Sequence, residues 1–269
     1  MSAALSPSPA AHIAAIGLVG PGFNDWPGAA AVLAGHADWL PAATALAAPA
    51  LLPAAERRRT GRVVRLALAV GLEAVAAAGA DAAQLATVFT SSSGDGVNCH
   101  QICETLASAD RQISPTRFHN SVHNAAAGYW SIATGATAPA AVLCAHDASF
   151  AAGLLEAVVQ VTVERTACLL IAYDADYPEP LRATRPVPDA FGVALLLTPE
   201  AAPHSLGRVS LQLTQAPPDR LDDAALETLR RSIPAARSLP LLAALARGHG
   251  GRVVLDYLDD LQLAADLVA

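Results

Sequence analysis

Apolar residues fall along this chain in two alternating rhythms. Short apolar runs bounded by Gly, Pro, Ser or Asp occur at His12–Val19, Ala86–Thr90, Ala141–Cys144, Cys168–Tyr173, Phe191–Thr198 and Leu206–Thr214. Runs of that length, closed by turn formers, predict strands. Between them the apolar positions take a helical spacing. From Glu56 to Gly79, arginines crowd the first turns, and Val63, Val64, Leu66, Leu68, Val70, Leu72 and Val75 form a broad apolar surface. Gly79 is the expected stop. A second helix is expected from about Asn98 to Ala109, and a third from a cap at Asn120 or Ser121. In the third, Val122, Ala125, Ala126, Tyr129, Ile132 and Ala133 fall on one stripe. Further helices are expected from Ser149 to about Glu164 and across Leu221–Arg247, the latter interrupted at Pro234 and Pro240. Residues 23–55, rich in Pro, Ala and Gly, read as a surface connection with one short helix. Arg252–Val268 reads as a final strand or helix with an acidic middle. Strands alternating with helices imply an α/β sheet with helices on its faces.

The stretch Pro139–Ala157 organises the rest. It predicts a buried strand (Ala141–Cys144), a tight turn at His146-Asp147, and a helix from Ser149. Such an elbow lifts one side chain out of a core into a pocket, and here that residue is Asp147. Function turns on whether that carboxylate acts or marks an absence.

Composition narrows the chemistry. The 269 residues are 53% hydrophobic and 15% charged, which fits a well-buried globular core. All 17 basic residues are arginines, so P-loop, Schiff-base and general-base lysines are excluded. A formal net charge of −7 argues against nucleic acid as a partner. The cluster Arg57, Arg58, Arg59, Arg62 and Arg65 is expected to be a solvated or interface face. No Asp, Glu, Lys or Arg occurs from Phe118 to His146. Polar and helix-breaking residues interrupt that run, so it is expected to be buried core and not a membrane span. The start lacks a cationic leader, so a cytoplasmic protein with reduced thiols at Cys99, Cys103, Cys144 and Cys168 is expected. No cofactor is expected.

Several constellations invite chemistry. His119 and His123 are spaced for one helical face, yet HNSVH offers neither an intervening Glu nor a third ligand for zinc, and a hydrogen-bonded or interface pair is the better reading. A hydrolase built from Ser149 or Ser92 with His146 and Asp147 lacks a GxSxG elbow, and adjacent His and Asp on one turn do not stack as a triad. Cys144 lies on the strand side of the turn, where a free thiol is more often inert core. The loop Ser91–Gly96 matches no phosphate-binding fingerprint and reads as a tight β-to-α turn.

Taken in order, the first strand at Ile13–Gly20, the helix ending EAVAAAG, the loop FTSSSGDG, the segment NAAAGYWSIATG and the elbow VLCAHDASFAAGLLEA resemble the β-ketoacyl synthases of the thiolase-like condensing enzymes. ISPTRFHNSVHNAAAGYWSIATG is similar to the truncated, chain-length-factor-like subunits of aryl polyene-type pathways. The resemblance implies a thiolase-like half with a central mixed sheet and helices on both faces, over residues 1–200. Residues 201–269 would then be a short extension on the same core, replacing the family's second half. It places Asp147 where the family carries its acyl-accepting cysteine, while only His204 and His249 lie in the remaining segment. No catalytic residue is therefore expected. The implied role is a subunit paired with a full-length β-ketoacyl synthase, with acyl carrier protein an indirect partner. Cys99, Ile102, Cys103 and Leu106 are the implied acyl-tunnel residues, alongside His119, His123, Asn124 and Tyr129, with His146, Asp147 and Ser149 forming the elbow. The alternatives are a stand-alone acyl-thioester decarboxylase or hydrolase using Asp147 or His146, and a homodimeric carrier-protein scaffold.

Overall fold

The computed structural model describes residues 8–268. In chain order the elements are β1 (Ala10–Val19), α1 (Trp26–Leu33), α2 (Ala54–Arg59), α3 (Arg62–Ala78), β2 (Ala86–Thr90), α4 (Gly96–Ala107), α5 (Pro115–His119), α6 (Ala125–Thr134), β3 (Ala140–Leu143), α7 (Ser149–Glu164), β4 (Cys168–Asp174), α8 (Leu181–Thr184), β5 (Phe191–Thr198), β6 (Gly207–Thr214), α9 (Ala224–Ser232), α10 (Leu239–Ala246), β7 (Gly251–Leu255) and β8 (Gln262–Val268). A 3₁₀ turn at His146–Ala148 precedes α7, and a 3₁₀ segment at Pro234–Ser238 joins α9 to α10. No helix among the described residues is long and apolar enough to cross a membrane.

The eight strands among the described residues form one mixed sheet in the order β3-β2-β4-β5-β1-β6-β8-β7. The β3-β2-β4 ladders are parallel, as right-handed crossovers through helices require, and the remaining ladders are antiparallel. The strands alternate between two apolar layers. In β4, Cys168, Leu170 and Ala172 face one layer while Leu169, Ile171 and Tyr173 face the other. In β5, Phe191, Val193, Leu195 and Leu197 join the first layer, and Ala194 and Leu196 the second. The first layer is closed by α1, α7, α10 and the 3₁₀ segment, the second by α3 and α6. Sheet and helices thus form the central mixed sheet with helices on both faces that the sequence implies. A glycine makes the closest approach possible: a Cβ at Gly17 would collide with the Val70 carbonyl of α3.

Five expectations need correction. The long helix from Glu56 is broken at Thr60-Gly61, whose extended backbones separate α2 from α3. The helix expected from Asn120 begins only at Ala125, because α5 ends at His119 and a turn intervenes. His119 and His123 therefore do not share a helix. Pro240 does not interrupt a helix; it sits in the first turn of α10, where its missing N–H costs nothing. The strand before the elbow is not buried: β3 is the sheet edge, with Ala140 exposed and Ala141, Val142 and Leu143 half-buried. The C-terminal acidic stretch is a loop between two strands, β7 and β8, which pair antiparallel.

Candidate functional site: the elbow and the adjoining apolar face

The elbow is built by local hydrogen bonds. After β3, His146 adopts a left-handed backbone at φ 50°, which lets the chain turn sharply into α7. Ser149 closes that turn: its Oγ donates to the His146 carbonyl at 2.7 Å and accepts from the Ala145 N–H at 3.1 Å. Ser149 is buried, so its hydroxyl is a structural group and not a free nucleophile.

Asp147 is held from both sides. Its Oδ1 accepts from Arg185 Nη2 at 2.6 Å and its Oδ2 from Arg237 Nη2 at 2.9 Å. His146 Nε2 lies against Arg185 Nη1. The elbow lies between two open cavities. One of about 360 Å³ is lined by Asp147, Arg185, Arg231 and Ser232. The other, of about 670 Å³, runs between the elbow, Arg237 and the loop carrying Asp256 and Tyr257. The turn thus presents Asp147 to solvent-filled space, but with both oxygens engaged. That geometry does not favour a general base.

Behind the elbow lies a buried acid that periodicity does not flag. Asp174, at the end of β4, is only 2% exposed. Its Oδ1 accepts from the Ser92 N–H at 2.8 Å and from the Ser91 hydroxyl at 3.3 Å, and its Oδ2 from the Ala235 N–H at 2.9 Å. Burial pushes its pKa up from 3.8 to about 6, and the hydrogen bonds hold it from rising further. Asp174 thereby ties the Ser91–Gly96 loop and the 3₁₀ segment to the sheet. That segment is the one that delivers Arg237 to Asp147. Cys144 completes the connection, its thiol donating to the Ser92 carbonyl at 3.2 Å. Contrary to expectation Cys144 is exposed, because β3 is an edge. Among the described residues no serine hydroxyl or cysteine thiol is hydrogen-bonded to a histidine ring, so no nucleophile–base pair is assembled. His204 and His249 are both exposed, in loops flanking β6 and β7.

The charge-free run from Phe118 to His146 departs from its expected burial. Tyr129 and Trp130 of α6 are buried, but Phe118 is 70%, Val122 53% and Ile132 48% exposed. Together with His119, Asn124 and Tyr129 they line a groove of about 490 Å³ along α5 and α6. His119 packs edge-on against Tyr129 at 6.2 Å between ring centroids, and the Tyr129 hydroxyl donates to Asn120 Oδ1 at 3.1 Å. His123 lies in the turn between the two helices, with its Nε2 buried and unpartnered. Beside α5, helix α4 buries only Asn98. Cys99, Cys103 and Leu106 are exposed and Ile102 is half-buried, so none of the four serves as core in this chain. Partial desolvation of the sulfur, and then the nearby Cys103, raise the Cys99 thiol above its ordinary pKa.

Asp174, Arg185 and Arg237 are not among the residues that sequence pattern singles out. Arg185 and Arg237 lie 38 and 90 residues from Asp147, and only the fold brings them together. The one sequence signal for Asp174 is its polarity at the end of an apolar strand.

Comparison with known proteins places the geometry in context. The profile of the β-ketoacyl synthase N-terminal domain matches residues 31–252. No curated protein matches the chain. Among solved structures, a chain of the ketosynthase ApeO in complex with its chain length factor ApeC, from Xenorhabdus doucetiae, superposes with a TM-score of 0.73 at 23% identity, covering 95% of this chain and 98% of that one. A chain of the ishigamide ketosynthase/chain length factor gives 0.72 at 16% identity over 96% and 98%. A chain of AntDE:AntF, a type II acyl-carrier protein with its ketosynthase bound to the hexaketide, gives 0.72 at 10% identity over 97% and 100%. At these identities the likeness establishes a shared fold, which spans nearly the whole length of each chain compared.

Proposed function

Since this chain belongs to the β-ketoacyl synthase family, through that family's N-terminal domain, we propose that it is a non-catalytic, chain-length-factor-like subunit. In this reading it pairs with a full-length β-ketoacyl synthase and helps to shape the acyl tunnel at their interface. Residues 201–269 stand in for the family's second half, completing the sheet and supplying Arg237. Asp147 occupies the position of the family's nucleophile.

The observation that carries the reading is the apolar face of α4, α5 and α6. Exposed Phe118, Val122 and Ile132 lie in a run without a single charged side chain, and the same run ends in β3, a sheet edge with no partner strand on its outer side among the described residues. Clustered apolar exposure of this kind marks protein interfaces, and a bare edge invites a second chain. The engaged oxygens of Asp147 support the non-catalytic half of the reading. An acyl carrier protein enters only through the partner.

Co-expression with a cognate ketosynthase is expected to give a stable heterodimer. Ile102→Trp and Leu106→Trp, which enlarge side chains on α4, are expected to shorten the product without dissociating the pair. Failure to form a complex, or a product length indifferent to both changes, would overturn the reading.

A further inference from the structure

Three segments far apart in sequence meet at one carboxylate. Asp147 lies just before α7, Arg185 follows α8 in the Pro-rich loop between β4 and β5, and Arg237 lies in the 3₁₀ segment between α9 and α10. No other carboxylate among the described residues lies within ion-pair distance of either arginine. Both guanidinium groups are about three-quarters buried, at 22% and 23% side-chain exposure, so water screens them only in part. The His146 ring adds no negative charge, and Arg185 Nε is buried without an acceptor.

We propose that the elbow is a seat for one negative charge, and that Asp147 is the anion the chain itself supplies to fill it. With the carboxylate in place, the Pro-rich loop and the C-terminal segment are fastened to the start of α7. Without it, two guanidiniums face the same small volume with no counter-charge. The position just before the helix favours an anion further, because no side chain caps the first turn of α7. A neutral amide does not substitute. Asparagine offers one acceptor oxygen and turns an NH₂ donor toward the second arginine. The chemical class that fits the seat is a small carboxylate, and the flanking cavities give it a path in from solvent once the Asp147 side chain is cut back. Asp147 is thus a positioning residue for the elbow, whatever partner the apolar face takes.

The test uses the full chain and thermal denaturation. Asp147→Asn and Asp147→Gly are each expected to lower Tm by roughly 3–8 °C. Sodium formate is expected to restore at least half of the loss in Asp147→Gly, while sodium chloride at equal ionic strength is not. Arg237→Ala in the same background is expected to abolish the rescue, which a merely structural contact would not explain. The losses from Asp147→Asn and Arg237→Ala should also fall short of additive in the double variant, a readout that stands even if the glycine variant does not fold. An Asp147→Asn protein as stable as the parent, or formate stabilising the parent and Asp147→Gly equally, would overturn the proposal.

Discussion

The elbow and the α5–α6 face invert the ordinary placement of charge. At the elbow, charged groups are drawn inward and paired: Asp174 is buried under three hydrogen bonds, and Asp147 bridges two arginines. On the α5–α6 face, which precedes the elbow in the chain, charge is absent and Phe118, Val122 and Ile132 stand in solvent. The far edge of the sheet is a control for both. There β7 carries Arg252, whose guanidinium engages Asp266 of β8 at 2.8 Å, and Gln212 of β6 engages the same carboxylate at 2.6 Å. An edge dressed with charge resists pairing; an edge left apolar does not. The difference separates two regions of one fold: the elbow ties distant segments of the chain to one another, and the apolar face leaves its side chains exposed.

Charging the apolar face should break that contrast most severely. Phe118→Glu combined with Ile132→Lys is expected to weaken association with a ketosynthase partner by about 100-fold or more, as burying unpaired charges in an interface costs on the order of 3 kcal/mol. The Tm of the isolated chain should hold, since both side chains are exposed. Titration calorimetry or co-purification measures the first, and a melting curve the second.

Emptying the elbow should act the other way. Asp174→Ala leaves the Ser92 and Ala235 N–H groups unpaired inside the protein, an expected loss of about 3 kcal/mol in chemical denaturation. Partner affinity per folded molecule is expected to change little.

A smaller effect sharpens the role of the buried acid. Asp174 has a folded pKa raised from 3.8 to about 6. Its contribution to stability is therefore fully present below its unfolded pKa and is lost as pH rises through about 6. On going from pH 7.5 to pH 5 the parent should gain about 1–2 kcal/mol from this group, a gain that Asp174→Asn removes. Asp189, Glu227 and Asp266 work in the opposite sense. Hydrogen bonds to Thr44 and Ala190 overcome burial at Asp189, and arginine partners lower the other two, so their stabilisation fades with acid. They are common to both proteins and cancel in the difference. Denaturation midpoints at the two pH values measure it.

The smallest change belongs to the control edge. Arg252→Ala is expected to leave partner binding unaltered and to shift Tm little, because the pair it breaks is exposed. A loss of partner affinity would mean that the wrong edge has been assigned to the interface.

Much of the fold was legible in the sequence because its information is local. The apolar runs Ala86–Thr90 and Phe191–Thr198 and the helix Ser149–Glu164 match β2, β5 and α7 residue for residue. The segment around His119 and His123 departs from the single helix its pattern predicts, because the amphipathic stripe is genuine but is shared by two helices and a turn. The apolarity of Phe118–His146 was likewise plain, yet its meaning was not. Composition records that a segment avoids water, and cannot say whether its cover comes from the same chain.

The elbow shows where that boundary falls. Its strand, turn and helix follow from alternation, a turn pair and a helical repeat, all within 20 residues, and the sequence alone determined that Asp147 stands at the turn. What Asp147 does there was decided only by the tertiary structure. Its partners Arg185 and Arg237 are distant in sequence, and no local pattern reports which of 17 arginines will reach it. Periodicity encodes which face of an element is buried, whereas ion pairing depends on distances set when the whole sheet assembles.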